Sequence, residues 1–278
     1  MPTPKSNGLR LAGSLFCGIG AFFRPLPVPV STSPSSPVPG VCPVLACIGV
    51  TPTNGEYRGF DDGDNLGYGD GVYKSTDGGK SWKNMGLKES RQIGEILTDP
   101  RNSNIVFVAA EGSAWGPGGE RGLYKTLDGG NTWKKVLDIS ENTGVNNVVI
   151  DPRNPDVMYA TSEQRRRHVY TKIGGGPESA VYKSEDAGES WNKIMSGLLS
   201  VDIGGMDIAV SPVNPDVVYL IMEAAENKGG FFRSTNRGAT WQKMNDYTAS
   251  GQYFNEIFCD IDGNDEIEKI TSKIKQIL

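Results

Sequence analysis

Apolar and polar residues alternate along most of this chain in short runs, each closed by glycine, proline, asparagine or aspartate. Period-two alternation marks half-buried β-strands, so the pattern predicts an all-β chain. In one unit the runs fall at 93–99, 104–110, 122–126 and 132–137, giving four strands A to D. The same order returns at 145–150, 156–161, 180–184 and 190–194, and again at 206–210, 216–222, 230–234 and 240–244. An earlier unit shows its outer half at 71–75 and 81–85, with its inner strands expected within 41–50. A fifth opens at 253–260. Beyond it Ile267, Ile270, Ile274 and Ile277 fall at helical spacing, and Asp265 with Glu268 makes a capping box, predicting an amphipathic helix over 265–278.

Between strands C and D lies a recurring octapeptide. The copies are Ser75-Thr76-Asp77-Gly78-Gly79-Lys80-Ser81-Trp82, Thr126-Leu127-Asp128-Gly129-Gly130-Asn131-Thr132-Trp133, Ser184-Glu185-Asp186-Ala187-Gly188-Glu189-Ser190-Trp191 and Ser234-Thr235-Asn236-Arg237-Gly238-Ala239-Thr240-Trp241. Their tryptophans are 51, 58 and 50 residues apart, the period of an array of supersecondary units. The Asp or Asn side chain accepts N–H bonds from the residues that follow it and closes a turn. The glycine two places on permits a positive φ. Trp82, Trp133, Trp191 and Trp241 open the return strand with a large ring to bury between sheets. Asp77, Asp128, Asp186 and Asn236 therefore read as turn formers rather than catalysts.

Four in-phase copies resemble the Asp-box (bacterial neuraminidase, BNR) repeats of β-propellers, found in sialidases, xyloglucanases and sortilin-type ectodomains. The segments Asp151-Pro152-Arg153-Asn154-Pro155-Asp156-Val157-Met158-Tyr159 and Ser211-Pro212-Val213-Asn214-Pro215-Asp216-Val217-Val218-Tyr219 are similar to bacterial proteins of the sortilin N-terminal-like and BNR-repeat glycosyl hydrolase kind. The resemblance implies an all-β propeller of four-stranded antiparallel blades over residues 46–260. Closed propellers of this blade size need six or seven, so four to five blades read as an incomplete propeller, or one completed by the rest of a larger propeller.

Composition narrows the function classes. A net charge of −5, with Arg165-Arg166-Arg167 as its one basic run, argues against nucleic-acid binding. His168 is the sole histidine, which excludes a multi-histidine metal centre, and no metal or cofactor is expected. Cys17, Cys42, Cys47 and Cys259 form no CxxC pair. Residues 1–45 combine a short glycine-broken apolar run with a proline-rich stretch, read as leader and linker. That run is too short to span a membrane, and a secreted, periplasmic or cell-surface location is expected.

Chemistry is expected on loops. In a blade of this order the A–B and C–D turns share one rim, and the long B–C loops lie on the other. Those loops hold Tyr57, Arg58, Asp61 and Asp62, then Glu111, Trp115 and Arg121, then Arg165, Arg166, Arg167, His168 and Glu178. Rings that stack on sugars, with arginines that clamp carboxylates, suit a peptide, protein or glycan ligand. The arginine triad of sialidases is dispersed, whereas Arg165–Arg167 is contiguous and its side chains diverge. No catalytic aspartate of the xyloglucanases carries over onto this chain. The reading is an exported ligand-binding or protein-interaction propeller, with a BNR-type glycoside hydrolase as the alternative.

Overall fold

The computed structural model describes residues 44–50, 68–168, 170–248 and 257–259. The leader, most of the proline-rich linker and the C-terminal helix expected from the sequence lie outside them. Four antiparallel sheets follow one another along the chain. The first has the order β1-β2-β3, from Val44–Val50, Tyr68–Ser75 and Lys83–Asn84. The second is β4-β5-β6-β7, from Ile93–Thr98, Val106–Ala110, Gly122–Thr126 and Lys134–Leu137. The third contains β8 (Thr143–Ile150), β9 (Met158–His168), β11 (Ala180–Ser184) and β12 (Asn192–Lys193), with β10 (Thr171–Gly174) also paired to β9. The fourth is β13-β14-β15-β16, from Ile203–Val210, Val218–Ala224, Gly230–Ser234 and Gln242–Asn245. Strand β1 pairs with β2, so it takes the B place of the first unit.

The sheets stack face to face, and the core lies between them. All five residues of β5 are buried. Val106, Val108 and Ala110 pack with Val72 and Leu87 of the first unit, while Phe107 and Ala109 pack with Val145, Val148 and Met158 of the third. A sheet covered on both faces needs apolar residues at consecutive positions, which is why this strand does not alternate. Tyr159, Ile203, Ile208, Leu220 and Trp241 fill the space between the third and fourth units. Each such side chain contributes about 2 kcal/mol when removed from water.

The boxes fix the register. Val106, Met158 and Val218 begin the B strands, and each pairs with the first residue of a strand C–box junction: Thr126, Ser184 and Ser234. In the second box Thr126 Oγ1 donates to Asp128 Oδ1 over 2.7 Å, and Asp128 accepts the Thr132 N–H at 2.9 Å and the Thr132 hydroxyl at 2.6 Å. Asp77 and Asp186 repeat the pattern. Asn236 keeps it by accepting the Thr240 N–H on Oδ1 and donating from Nδ2 to the Thr240 hydroxyl.

Two expectations change. The outer strands β3 and β12 are two residues long, shorter than the runs read from the sequence. The stretch after Ser162 is no loop: β9 runs on to His168 and turns back through β10. The tryptophans also divide. Trp82 and Trp191 donate to their own boxes, at Gly79 O and Gly188 O, whereas Trp133 and Trp241 reach back to Met85 O and Ile194 O of the preceding unit.

Candidate functional site

The A–B turns touch the boxes. Gly129 N–H donates to Asn104 O, Ala187 N–H to Asp156 O and Arg237 N–H to Asp216 O. The boxes thus occupy one rim, and the B–C loops and the β9–β10 hairpin form the other.

That second rim carries a mixed charge cluster. Glu111, Glu163 and Glu223 each stand five residues after the first residue of their B strand, so three successive units place a glutamate at one level. Arg165 donates from Nη2 to Glu111, and to Gln92 Oε1 over 2.7 Å. Burial works against the Arg165 charge, but Glu111 and Glu163 outweigh it and hold its pKa above the usual value. A Cβ built on Gly205 lies 3.7 Å from Glu223 Oε2 and 3.9 Å from both Glu163 carboxylate oxygens, so those two side chains converge on one point. Desolvation raises the Glu163 pKa; Glu111 and Glu223 add to the rise, and Arg165 and Lys172 oppose it. Lys172, also desolvated, has its pKa lowered despite Glu163 and Glu223.

The remaining candidates are dispersed. Arg121 is 2% exposed and donates to the carbonyls of Glu111, Ser113, Gly116 and Gly118, so it is the internal frame of the 111–121 loop. Burial, with Arg166 and Arg165 nearby, lowers its pKa to about 10. Arg166 donates to Asn142 Oδ1 over 2.8 Å. Arg167 N–H donates to Ala114 O, which fastens the hairpin beside Trp115. Trp115 is 43% exposed, and His168 stacks on Tyr170, itself 86% exposed. Glu178 accepts the hydroxyls of Ser140 and Thr143, and these hydrogen bonds lower its pKa. Tyr57, Arg58, Asp61 and Asp62 lie outside the described residues.

Two grooves open on this rim. One of about 560 Å³ runs past Ile173, Asp202, Glu223 and Asp246; the other, about 420 Å³, is lined by Glu89, Arg91, Ser113 and Pro117. Among the described residues no group of three or more His, Cys, Asp or Glu side chains is arranged to hold a metal ion. Nor is any helix there long and apolar enough to cross a membrane. Lys172, Glu223 and Tyr170 were not singled out from the sequence. Aligning the units on their A–B turns, at Asp99, Asp151 and Ser211, would have brought the three glutamates into one column.

Residues 70–176 match the family model Sortilin-Vps10, described as "Sortilin, neurotensin receptor 3". Around that span lie four boxes with one hydrogen-bond pattern and four stacked antiparallel sheets. These sheets are Asp-box propeller blades. Among curated proteins the blades are similar to a xyloglucanase of Hypocrea jecorina (strain QM6a), 26% identical over 185 residues, covering 62% of this chain and 20% of that protein. A xyloglucanase of Paenibacillus sp is 32% identical over 119 residues, 40% of this chain and 10% of that one. The chain thus spans a fifth or less of the length of these relatives. Among solved structures, a Niastella koreensis GH74 enzyme superposes with TM-score 0.51 and 19% identity, covering 73% of this chain and 28% of its own. The GH74 xyloglucanase from Xanthomonas campestris gives 0.50 and 16%, covering 63% and 27%. At these identities the two structures show the fold.

Proposed function

We propose that the propeller acts on polysaccharide as a glycoside hydrolase of the xyloglucanase kind, with the glycan lying across the rim opposite the boxes. The observation that carries this is one rim holding two open grooves, the exposed rings of Trp115 and Tyr170, and the Glu111–Glu163–Glu223 cluster with Arg165. Rings offer stacking faces to sugars, and carboxylates accept sugar hydroxyls or work as acid and base. The likeness to xyloglucanases supports the same reading. In it the chain works outside the cell.

The sortilin-family match over 70–176 favours a second reading, a module that binds a glycan, peptide or protein without turnover. Affinity electrophoresis on xyloglucan, run with a reducing-end assay, separates the two. The hydrolase reading expects retardation and new reducing ends, with retardation weakened at least tenfold in Trp115→Ala. Retardation without cleavage supports the binding module, and neither effect removes xyloglucan as the ligand.

A further inference from the structure

We propose that a second copy of this chain docks head-to-tail on the first, its first blade covering the fourth. The contact is independent of the hydrolase reading. It repeats a joint that the chain makes twice within itself and carries in two separate halves at its outer blades.

Trp133 Nε1 donates to Met85 O over 2.7 Å, and Trp241 Nε1 to Ile194 O over 3.1 Å. Both acceptors lie in the preceding blade, three residues after the tryptophan of their own box. Their side chains fill the space at the next box glycine. A Cβ on Gly130 would come within 3.3 Å of Met85 Cβ, and one on Gly238 within 2.7 Å of Ile194 Cδ1. Charged arms add to the blade contacts: Lys74 donates to Gly129 O and Lys125 to Ala187 O, each in the following box.

The fourth blade carries the leading half. Met244 stands three residues after Trp241 and is 42% exposed, where Met85 and Ile194 are half-buried. Arg233 precedes its box as Lys74 and Lys125 do, and among the described residues it meets no acceptor. The first blade carries the receiving half. Trp82 is 36% exposed, against 5% for Trp241, and a Cβ on Gly79 would meet only the Trp82 ring. In the docked pair Met244 fills the space at Gly79, Trp82 Nε1 turns to Met244 O, and Arg233 reaches Gly78 O. Apolar side chains exposed at a repeated packing position mark an interaction surface. Both halves belong to one chain, so its own complement is another copy.

The inner strands fit the same contact. Asn147 Nδ2 donates to Asp207 Oδ1, from the A strand of the third blade to that of the fourth. Asp207 Oδ2 accepts the Ile257 N–H over 2.6 Å, which puts residues 257–259 next in that row, with Phe258 59% exposed. Strands β1, β2 and β3 of the first sheet fill the B, C and D places. One blade is then shared, its A strand from one copy and its B to D strands from the partner.

A head-to-tail joint is heterologous, so two single variants and their mixture separate it from a symmetric pairing. Light scattering after size exclusion, on the full chain at several concentrations, is expected to give a mass of two or more chains for the wild type. Trp82→Glu and Met244→Glu should each run as one chain with unchanged thermal melts; should one of them melt early, the other decides alone. Their equimolar mixture should return to two chains, one of each, because each variant keeps the end that the other has lost. Arg233→Gln should weaken association about tenfold, the loss of one charged hydrogen bond. A wild type that stays at one chain overturns the proposal. So does an assembly that both variants keep, or a mixture that stays at one chain.

Discussion

Arg101 Nη1 donates to Asp156 Oδ1 over 2.6 Å, tying the A–B turn of the second blade to that of the third. The other arm of Arg101 holds Asp99, which is 3% exposed, through Nε at 3.0 Å and Nη2 at 2.8 Å. Arg153 repeats the link one blade on, from Asp151 to Asp216. The two arms differ in worth. Asp156 is half exposed, so its pair contributes less than about 1 kcal/mol. Asp99 is buried, and stripping its guanidinium leaves a desolvated carboxylate. Arg101→Ala is therefore expected to cost about 2 kcal/mol in urea unfolding, and Asp156→Asn well under half of that. Equal losses would mean that the exposed arm is the one that matters.

The box carboxylates should govern acid stability. The Ser81 hydroxyl and N–H, then Ser75, lower Asp77 to about 2; Ser190 and Ser184 do the same for Asp186, also to about 2, and Thr132 leads for Asp128. A carboxyl whose pKa is depressed on folding adds stability above its unfolded pKa and loses it as pH falls through the folded value. The window here runs from about pH 4 down to about 2. Asn at positions 77, 128 and 186, as the chain already has at 236, should flatten melting temperature against pH in that window. An unchanged acid limb refutes this. Asp128→Ala, which loses the turn itself, should lower the melting temperature while leaving xyloglucan retardation unaltered in the folded fraction.

Ala187 holds φ at 56° and Arg237 at 58°, where the first two boxes have Gly78 and Gly129. An L-residue with a Cβ is strained there by roughly 1–2 kcal/mol, and glycine gives back part of that through its freer unfolded chain. Ala187→Gly should therefore raise stability by about 0.5–1 kcal/mol in a denaturant melt. A loss would show that the Ala187 methyl group contributes packing that outweighs the strain.

Gly144 marks a close approach of two blades. A Cβ there would lie 2.3 Å from Glu111 O and 2.4 Å from Glu111 Cα, both backbone atoms without room to move. Gly144→Ala is expected to cost about 2 kcal/mol or more by forcing the second and third blades apart. Because Glu111 moves with that contact, the variant should also weaken the Arg165 pair, visible as lost glycan retardation at temperatures where the chain stays folded.

The blades were legible because their signals are local. A Ser or Thr, an Asp or Asn and a glycine within five residues specify a turn wherever they occur, and that turn sets the C–D register and through it strand B. The β9–β10 hairpin was not legible, since Gln164-Arg165-Arg166-Arg167-His168 shows no apolar alternation. It is a strand because Lys172 and Ile173 pair with it and because Arg165 is held from the neighbouring blade. The choice each tryptophan makes between its own box and the preceding blade is equally invisible, because the octapeptides are alike and only the neighbour differs. Of the candidate residues, Glu111 and Arg165 could be proposed from residue type alone. Glu223 needed the stacking of sheets that brings it to Gly205, beside Glu163.

Five arms that cross the box rim point downstream. Lys74 reaches Gly129 O, Arg101 reaches Asp156, Lys125 reaches Ala187 O, Arg153 reaches Asp216 and the Tyr159 hydroxyl reaches Arg237 O, each 55 to 78 residues further on. During synthesis these five arms stay in solvent until the next box has emerged. In the fourth blade the arginine position holds Val213, 62% exposed, which has no charge to reach across with.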